Sequence, residues 1–255
     1  MVVMPILYIA IIELVRYTPI DPPKSPLKRG TLICSGSPLF KGGRGGSKMY
    51  FTERDNCYIE TNFLMSVAFG RDAEAGNLLL NSPASLEIAI PEVCCMESLS
   101  ALESEQKRRF RFNNELKQQI SQLRRDLTSP SASSLLSYLD MSLEENENLL
   151  NEIKKRLFLA LENIAANATT IPLSPEVIRA TLSNSLMLEE PTDNLILKTI
   201  LSHARTKPTE VKILLTGNIK DFTQPTVKEA LQNAGINLYF SKTSSFIGWL
   251  ESQSG

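Results

Sequence analysis

A single histidine, His203, and a single tryptophan, Trp249, serve a chain of 255 residues. That scarcity excludes His-rich zinc sites and leaves a Ser–His or Cys–His mechanism resting on one residue with no motif around it. Cysteine is sparse as well. Cys34, Cys57, Cys94 and Cys95 show no CxxC spacing, and the adjacent Cys94 and Cys95 fall in a helical apolar stretch. Packing rather than bridging or metal ligation is expected of that pair, and the usage suits a reducing, cytoplasmic compartment. No apolar run is long enough for a membrane span. The opening MVVMPILYIAIIELV is 15 residues interrupted by Pro5 and Glu13, without the basic start or small-residue cleavage site of a signal peptide. No GxGxxG or GxxxxGK[ST] follows any predicted strand, which argues against a doubly wound nucleotide-binding protein.

What is present is ordinary globular material with an uneven charge. Hydrophobic residues make up 42% and charged residues 22%, enough for a sizeable core. The net charge of −1 conceals +5 over residues 1–48, which leaves −6 for the rest. A domain of that sign does not attract polyanions through its overall field, so it needs a local basic patch or a metal ion to do so. Residues 17–48 are rich in Pro, Gly, Ser and Lys and resemble translated intergenic repeat elements. Such composition buries too little apolar surface to offset the entropy of ordering, so residues 1–50 are expected to be a disordered tail.

From Cys57 the pattern alternates. Short apolar runs at 57–59, 86–90, 211–215 and 236–240 predict strands. Helical patterns cover 62–80, 91–109, 112–127, 142–167, 225–234 and 246–251, with a loop over Thr128–Ser134. Strands separated by helices predict an α/β fold: three layers, α/β/α, with a short parallel sheet. The helical stretch from about 100 to 205 exceeds one crossover and predicts an enlarged helical insertion, a protrusion over about 107–170. Leu150, Ile153, Leu157 and Ile164 sit at near-heptad spacing, pointing to a local helical hairpin.

Ligands in open parallel sheets bind beyond the carboxyl ends of the strands. Glu60 stands at that end of the first strand, and Asn218 and Asp221 stand just past the strand at 211–215. Glu97 lies near the start of the helix after Pro91. Asp193 heads a stripe of Ile196, Leu197, Ile200, Leu201 and Ala204, where an uncompensated carboxylate would be costly and a cation would relieve it. Each acid also has a plain reading: Asp193 as a helix cap, Glu60 as a solvated strand end, Glu97 as a surface charge, and Asn218 and Asp221 as turn residues.

In order, these segments resemble the PIN-domain family of metal-dependent nucleases. YIETNFLMS (58–66) is similar to its first motif through Glu60, Thr61 and Asn62. IPEVCCMESLSALE (90–103) resembles the second and offers Glu97. PTDNLILKTILSHA (191–204) resembles the third and offers Asp193. LLTGNIKDF (214–222) resembles the fourth, with Thr216, Asn218 and Asp221. The first acid of the family is usually Asp, and Glu60 is one methylene longer, which displaces a held metal by about an ångström or shifts the strand. Asn218 stands where an acid is often found. The resemblance implies Mg²⁺ or Mn²⁺ held by Glu60, Glu97, Asp193 and Asp221, and hydrolysis of RNA without a covalent intermediate. It further implies an endoribonuclease, one setting being the toxin of a toxin–antitoxin pair, with an antitoxin protein or a second copy as partner and no membrane. The alternative is a site-altered module that holds RNA or a protein without cutting.

Residues 107–125 carry net +6. Lys107, Arg108, Arg109, Arg111, Arg124 and Arg125, interleaved with Phe110 and Phe112, are candidates for phosphate contacts with nearby base stacking. The plain reading is a solvated amphipathic helix with one Phe in the core. His203, near a helix end, is expected to be a surface imidazole, and Trp249 a core residue.

Overall fold

The computed structural model describes residues 54–183, 186, 191–207, 211–218, 222 and 224–253. The expected disordered tail, residues 1–50, and Asp221 lie outside the described residues. Five strands, β1 (Asp55–Ile59), β2 (Leu86–Pro91), β3 (Thr169–Ile171), β4 (Lys212–Leu215) and β5 (Ile236–Phe240), form one parallel sheet in the order β3-β2-β1-β4-β5. β1 takes the centre because every residue of DNCYI is buried, as a strand covered on both faces requires. Four strands fall where the apolar runs predict them, and β3 is an addition at the edge.

Eight helices are described: α1 (Thr61–Ala68), α2 (Ala73–Leu80), α3 (Glu92–Leu123), α4 (Pro130–Asn167), α5 (Pro175–Ser183), α6 (Pro191–Thr206), α7 (Pro225–Asn233) and α8 (Thr243–Gln253). α1, α2 and α4 pack together, while α6 covers β2 and β3 with α5 beside it. The predicted helix over 62–80 is two helices. Gly70, at φ +65°, turns the chain between them, a conformation that side-chain-bearing residues rarely adopt. Beside that turn Arg156 Nε donates to the Ala68 carbonyl at 2.8 Å, tying the end of α1 to α4.

The helical insertion is an antiparallel hairpin of α3 and α4. The break expected between Arg109 and Phe112 does not occur, because no Gly or Pro interrupts that stretch. α4 starts earlier than expected, at Pro130, with the Ser129 hydroxyl accepting from Ala132 N at 3.2 Å. Its inner face runs Ala132, Leu136, Leu139, Leu143, Asn146, Leu150, Ile153 and Leu157, buried or half-buried, in alternating steps of four and three. That seam is the knobs-into-holes pattern of paired helices. Full burial of Ile153, Leu157 and Ile164 contributes about 2 kcal/mol each. The exception in the seam is Asn146.

Candidate functional site

β1 and β4 are parallel neighbours in a register that pairs Ile59 with Leu215. The next residues, Glu60 and Thr216, therefore leave the sheet side by side. Glu60 is 3% exposed and caps α1: Oε2 accepts from Asn62 N at 2.7 Å. Its Oε1 accepts from the Thr216 hydroxyl at 3.0 Å and from Gly217 N at 3.1 Å. One carboxylate thus fastens the exits of both central strands. The approach is close at Gly217, where an added Cβ would come within 3.3 Å of Asn62 Cβ. Burial raises the Glu60 carboxyl above its ordinary pKa, hydrogen bonds from Asn62, Thr216 and Gly217 oppose this, and the charge of Asp193 adds to the rise. No cation enters that balance.

Two more carboxylates meet neutral donors. The Thr61 hydroxyl donates to Glu97 Oε2, joining the start of α1 to the second turn of α3. Asn218 Nδ2 donates to Asp193 Oδ2 at 3.0 Å, and Asn218 N donates to Thr216 Oγ1 at 3.0 Å. Asp193 is the third residue of α6, inside its first turn, and not the capping residue that precedes the helix. All five predicted stripe residues behind it, Ile196, Leu197, Ile200, Leu201 and Ala204, are buried. Cys94 lies beside this group, buried. Burial pushes its thiol far up, outweighing the hydrogen bond with Thr61, and Glu60 and Glu97 push it further. It is a neutral packing group, not a nucleophile.

In donor chemistry these residues fit a hard divalent cation: they are carboxylates, and two of them repel one another. In number they fall short. Among the described residues no three His, Cys, Asp or Glu side chains stand together as a metal-holding group. Glu60, Glu97 and Asp193 each accept from a neutral donor.

The basic segment is only partly turned to solvent. Lys107 pairs with Glu103 at 2.6 Å and Arg108 with Glu105 at 2.5 Å. Arg109, its side chain 17% exposed, is directed into the hairpin. Its Nε donates to Glu105 at 2.7 Å and its Nη1 to Asn146 Oδ1 at 2.6 Å. Asn146 Nδ2 in turn donates to Asn113 Oδ1 at 2.6 Å. This polar layer answers the Asn146 exception in the α4 seam, and it takes Arg109 out of reach of a ligand. Arg124 lies 3.6 Å from Asp140. Phe110 and Phe112 are both exposed, so the plain reading that put one of them in the core does not hold. His203 is not a free surface imidazole: it is half-buried, with Nδ1 3.1 Å from the Tyr58 hydroxyl. Trp249 is half-buried and stacks on Phe246. Sequence reasoning missed the Glu105–Arg109–Asn146 layer, although an Asn interrupting an apolar heptad was the available sign.

A family model described as PIN domain matches residues 57–222. The chain belongs to the PIN domain family. The matched stretch begins in β1 and takes in Glu60, Glu97, Asp193, Asn218 and the position of Asp221, so the segments of the four motifs lie within it. No curated protein and no solved structure matches the chain. PIN domains are generally nucleases that use divalent metals, and the family commonly binds RNA. Among the described residues of this PIN domain, no helix is long and apolar enough to cross a membrane.

Proposed function

We propose that this PIN domain is a cytoplasmic divalent-metal-dependent endoribonuclease. The observation that supports it most is the unneutralised Glu60, buried at the junction of β1 and β4, repelled by Asp193 and touched only by neutral donors. A protein keeps such strain at functional sites more than elsewhere. Glu60, Glu97, Asp193 and Asp221 would hold Mg²⁺ or Mn²⁺. When bound, the ion would supply a water of lowered pKa and neutralise charge building on the phosphate. The chain's own part is orientation. Thr61 aims Glu97, Asn218 aims Asp193, and Asn62, Thr216 and Gly217 hold Glu60. Donors of this kind fix a ligand's direction. Lys107, Arg108 and Arg111 would contact the RNA backbone from the near half of α3.

The direct test is incubation of the full chain with mixed RNA in Mn²⁺ and in EDTA. Cleavage that EDTA stops, and that falls roughly hundredfold in Glu97→Gln and Asp193→Asn, supports the reading. Cleavage indifferent to EDTA overturns it. A second reading, a module that binds RNA or a protein without cutting, draws on the full occupation of both Glu60 oxygens and on Asn218 at an acid position. RNA retention without cleavage in Mn²⁺ would favour it. The toxin setting predicts growth arrest on expression, relieved by a co-expressed antitoxin.

A further inference from the structure

A cleft of about 380 Å³ opens between α5, α6 and α7, a size typical of small-ligand sites. Its floor is apolar: Val177 and Leu201 are buried, and Leu186 is half-buried. Its rim is cationic. Lys198, Ser202 and Arg205 stand at i, i+4 and i+7 on α6, so all three emerge on one face of the helix. The acid of α6, Asp193, lies back in its first turn. Among the described residues the acid lining the cleft is Glu176, and it pairs with Arg179 at 3.6 Å. Among the same residues, the side chains of Lys198, Ser202 and Arg205 make no ion pair or hydrogen bond. Two cations and a hydroxyl are thus gathered over an apolar floor and held by nothing in the fold.

The donor set selects the ligand. Lys198 and Arg205 are two helical turns apart, roughly 10 Å along the axis, and their long side chains reach a common point over Ser202. A lone carboxylate is satisfied by one guanidinium. A phosphate monoester brings close to two charges and three strong acceptor oxygens, which matches two cations and a hydroxyl. Inorganic phosphate would leave the floor of Val177, Leu186 and Leu201 uncovered, so the ligand carries an apolar body as well. Asn233 of α7 lines the same cleft, and its amide offers a donor and an acceptor side by side, the pairing that a nucleobase edge presents. We propose that this cleft binds a nucleoside monophosphate, with the phosphate on Lys198, Ser202 and Arg205 and the base on the apolar floor beside Asn233. The site uses none of the carboxylates at the strand exits and does not depend on nuclease activity.

Calorimetric titration of the full chain with AMP and with UMP tests this, in EDTA so that no metal-held nucleotide contributes. The expected result is saturable binding of at least one of them at one site per chain. Inorganic phosphate and adenosine should each bind roughly tenfold more weakly or worse. Lys198→Gln and Arg205→Gln should each weaken nucleotide binding roughly tenfold, with the melting temperature of the free protein unchanged. Ser202→Glu, which sets a carboxylate between the two cations, should abolish binding, and Asp193→Asn should leave it as it was. Absence of saturable binding for both nucleotides at millimolar concentration overturns the proposal. So does nucleotide binding that persists in Ser202→Glu and in the Lys198→Gln, Arg205→Gln pair. Inorganic phosphate bound as tightly as AMP would reduce the cleft to a patch for any anion and overturn the nucleotide. A 5′-phosphorylated RNA held through Lys198 and Arg205, with neither nucleotide bound, would assign the cleft to a strand end instead. Failure of the RNA-cleavage test alone leaves this titration to stand or fall by itself.

Discussion

Glu60 at the sheet edge and Glu105 in the hairpin are both almost fully buried, at 3% and 6% exposed. Their surroundings differ in kind. Glu105 is met by the guanidinium groups of Arg108 and Arg109, so its charge is answered inside the fold. Glu60 is met by three neutral donors and repelled by a second carboxylate. A buried acid with a cationic partner stabilises a chosen arrangement of helices. A buried acid without one stores electrostatic strain that a bound cation would relieve. The contrast separates a structural use of charge from a functional one within a single chain.

The largest effect should come from breaking the answered charge. Arg109→Ala leaves Glu105 without its inner partner and Asn146 short of a donor, and should destabilise by about 3 kcal/mol in urea unfolding. Replacing Glu105, Arg109 and Asn146 together by apolar residues should return most of that loss. If Arg109→Ala is neutral, the hairpin layer does not hold the register and the contrast fails.

At the sheet edge the effect should appear only with metal. Asp193→Asn should lower Mn²⁺ affinity about tenfold, removing about 1.4 kcal/mol of Mn²⁺-induced stabilisation at saturating ion. Equal Mn²⁺ shifts in melting temperature for mutant and wild type would leave Asp193 as a helix-start charge only.

A pH series in EDTA sharpens the comparison further. The folded Glu60 has its pKa raised, so the folded state holds this proton longer than the unfolded chain. Its contribution is present below the ordinary carboxyl value and is lost as pH rises through the folded pKa. One such group sets a slope of at most about 1.4 kcal/mol per pH unit. The fall should be shallower in Asp193→Asn, because the repulsion is gone. A stability difference between mutant and wild type that does not change with pH would mean that Asp193 exerts no charge on Glu60.

The smallest effect belongs to the surface. Lys107→Ala removes only an exposed pair with Glu103, so melting should not change measurably. RNA binding should weaken and lose part of its salt dependence. Unchanged RNA binding would remove Lys107 from the docking group.

The strand exits were legible because two sequence signals coincide there: an apolar run ends, and a polar residue follows. Glu60 and Asn218 were found that way, while Thr216 came with the resemblance to the fourth motif. Their partners were not. That Thr216 and Gly217 serve Glu60 depends on the parallel register of β1 and β4, and that Thr61 serves Glu97 depends on β1 lying beside β2, neither of which a local pattern encodes. β3 escaped notice because Thr169-Thr170-Ile171 follows α4 after a single residue and is only three residues long. The inward turn of Arg109 went unread for a similar reason. Its run of basic residues was visible, but the heptad phase that turns one of them inward is set by α4, across 37 residues of sequence.

The bond from Arg156 to the Ala68 carbonyl joins two bodies of unequal length. α1, eight residues long, spans roughly 12 Å, and α4, with 38 residues, spans roughly 57 Å. Glu60 sits at the far end of the short one. The lengths stand at about five to one, so a small tilt at the short helix would become a wide sweep at the hairpin tip. Read the other way, anchoring the tip leaves the short arm, and the carboxylate that caps it, very little room to wander.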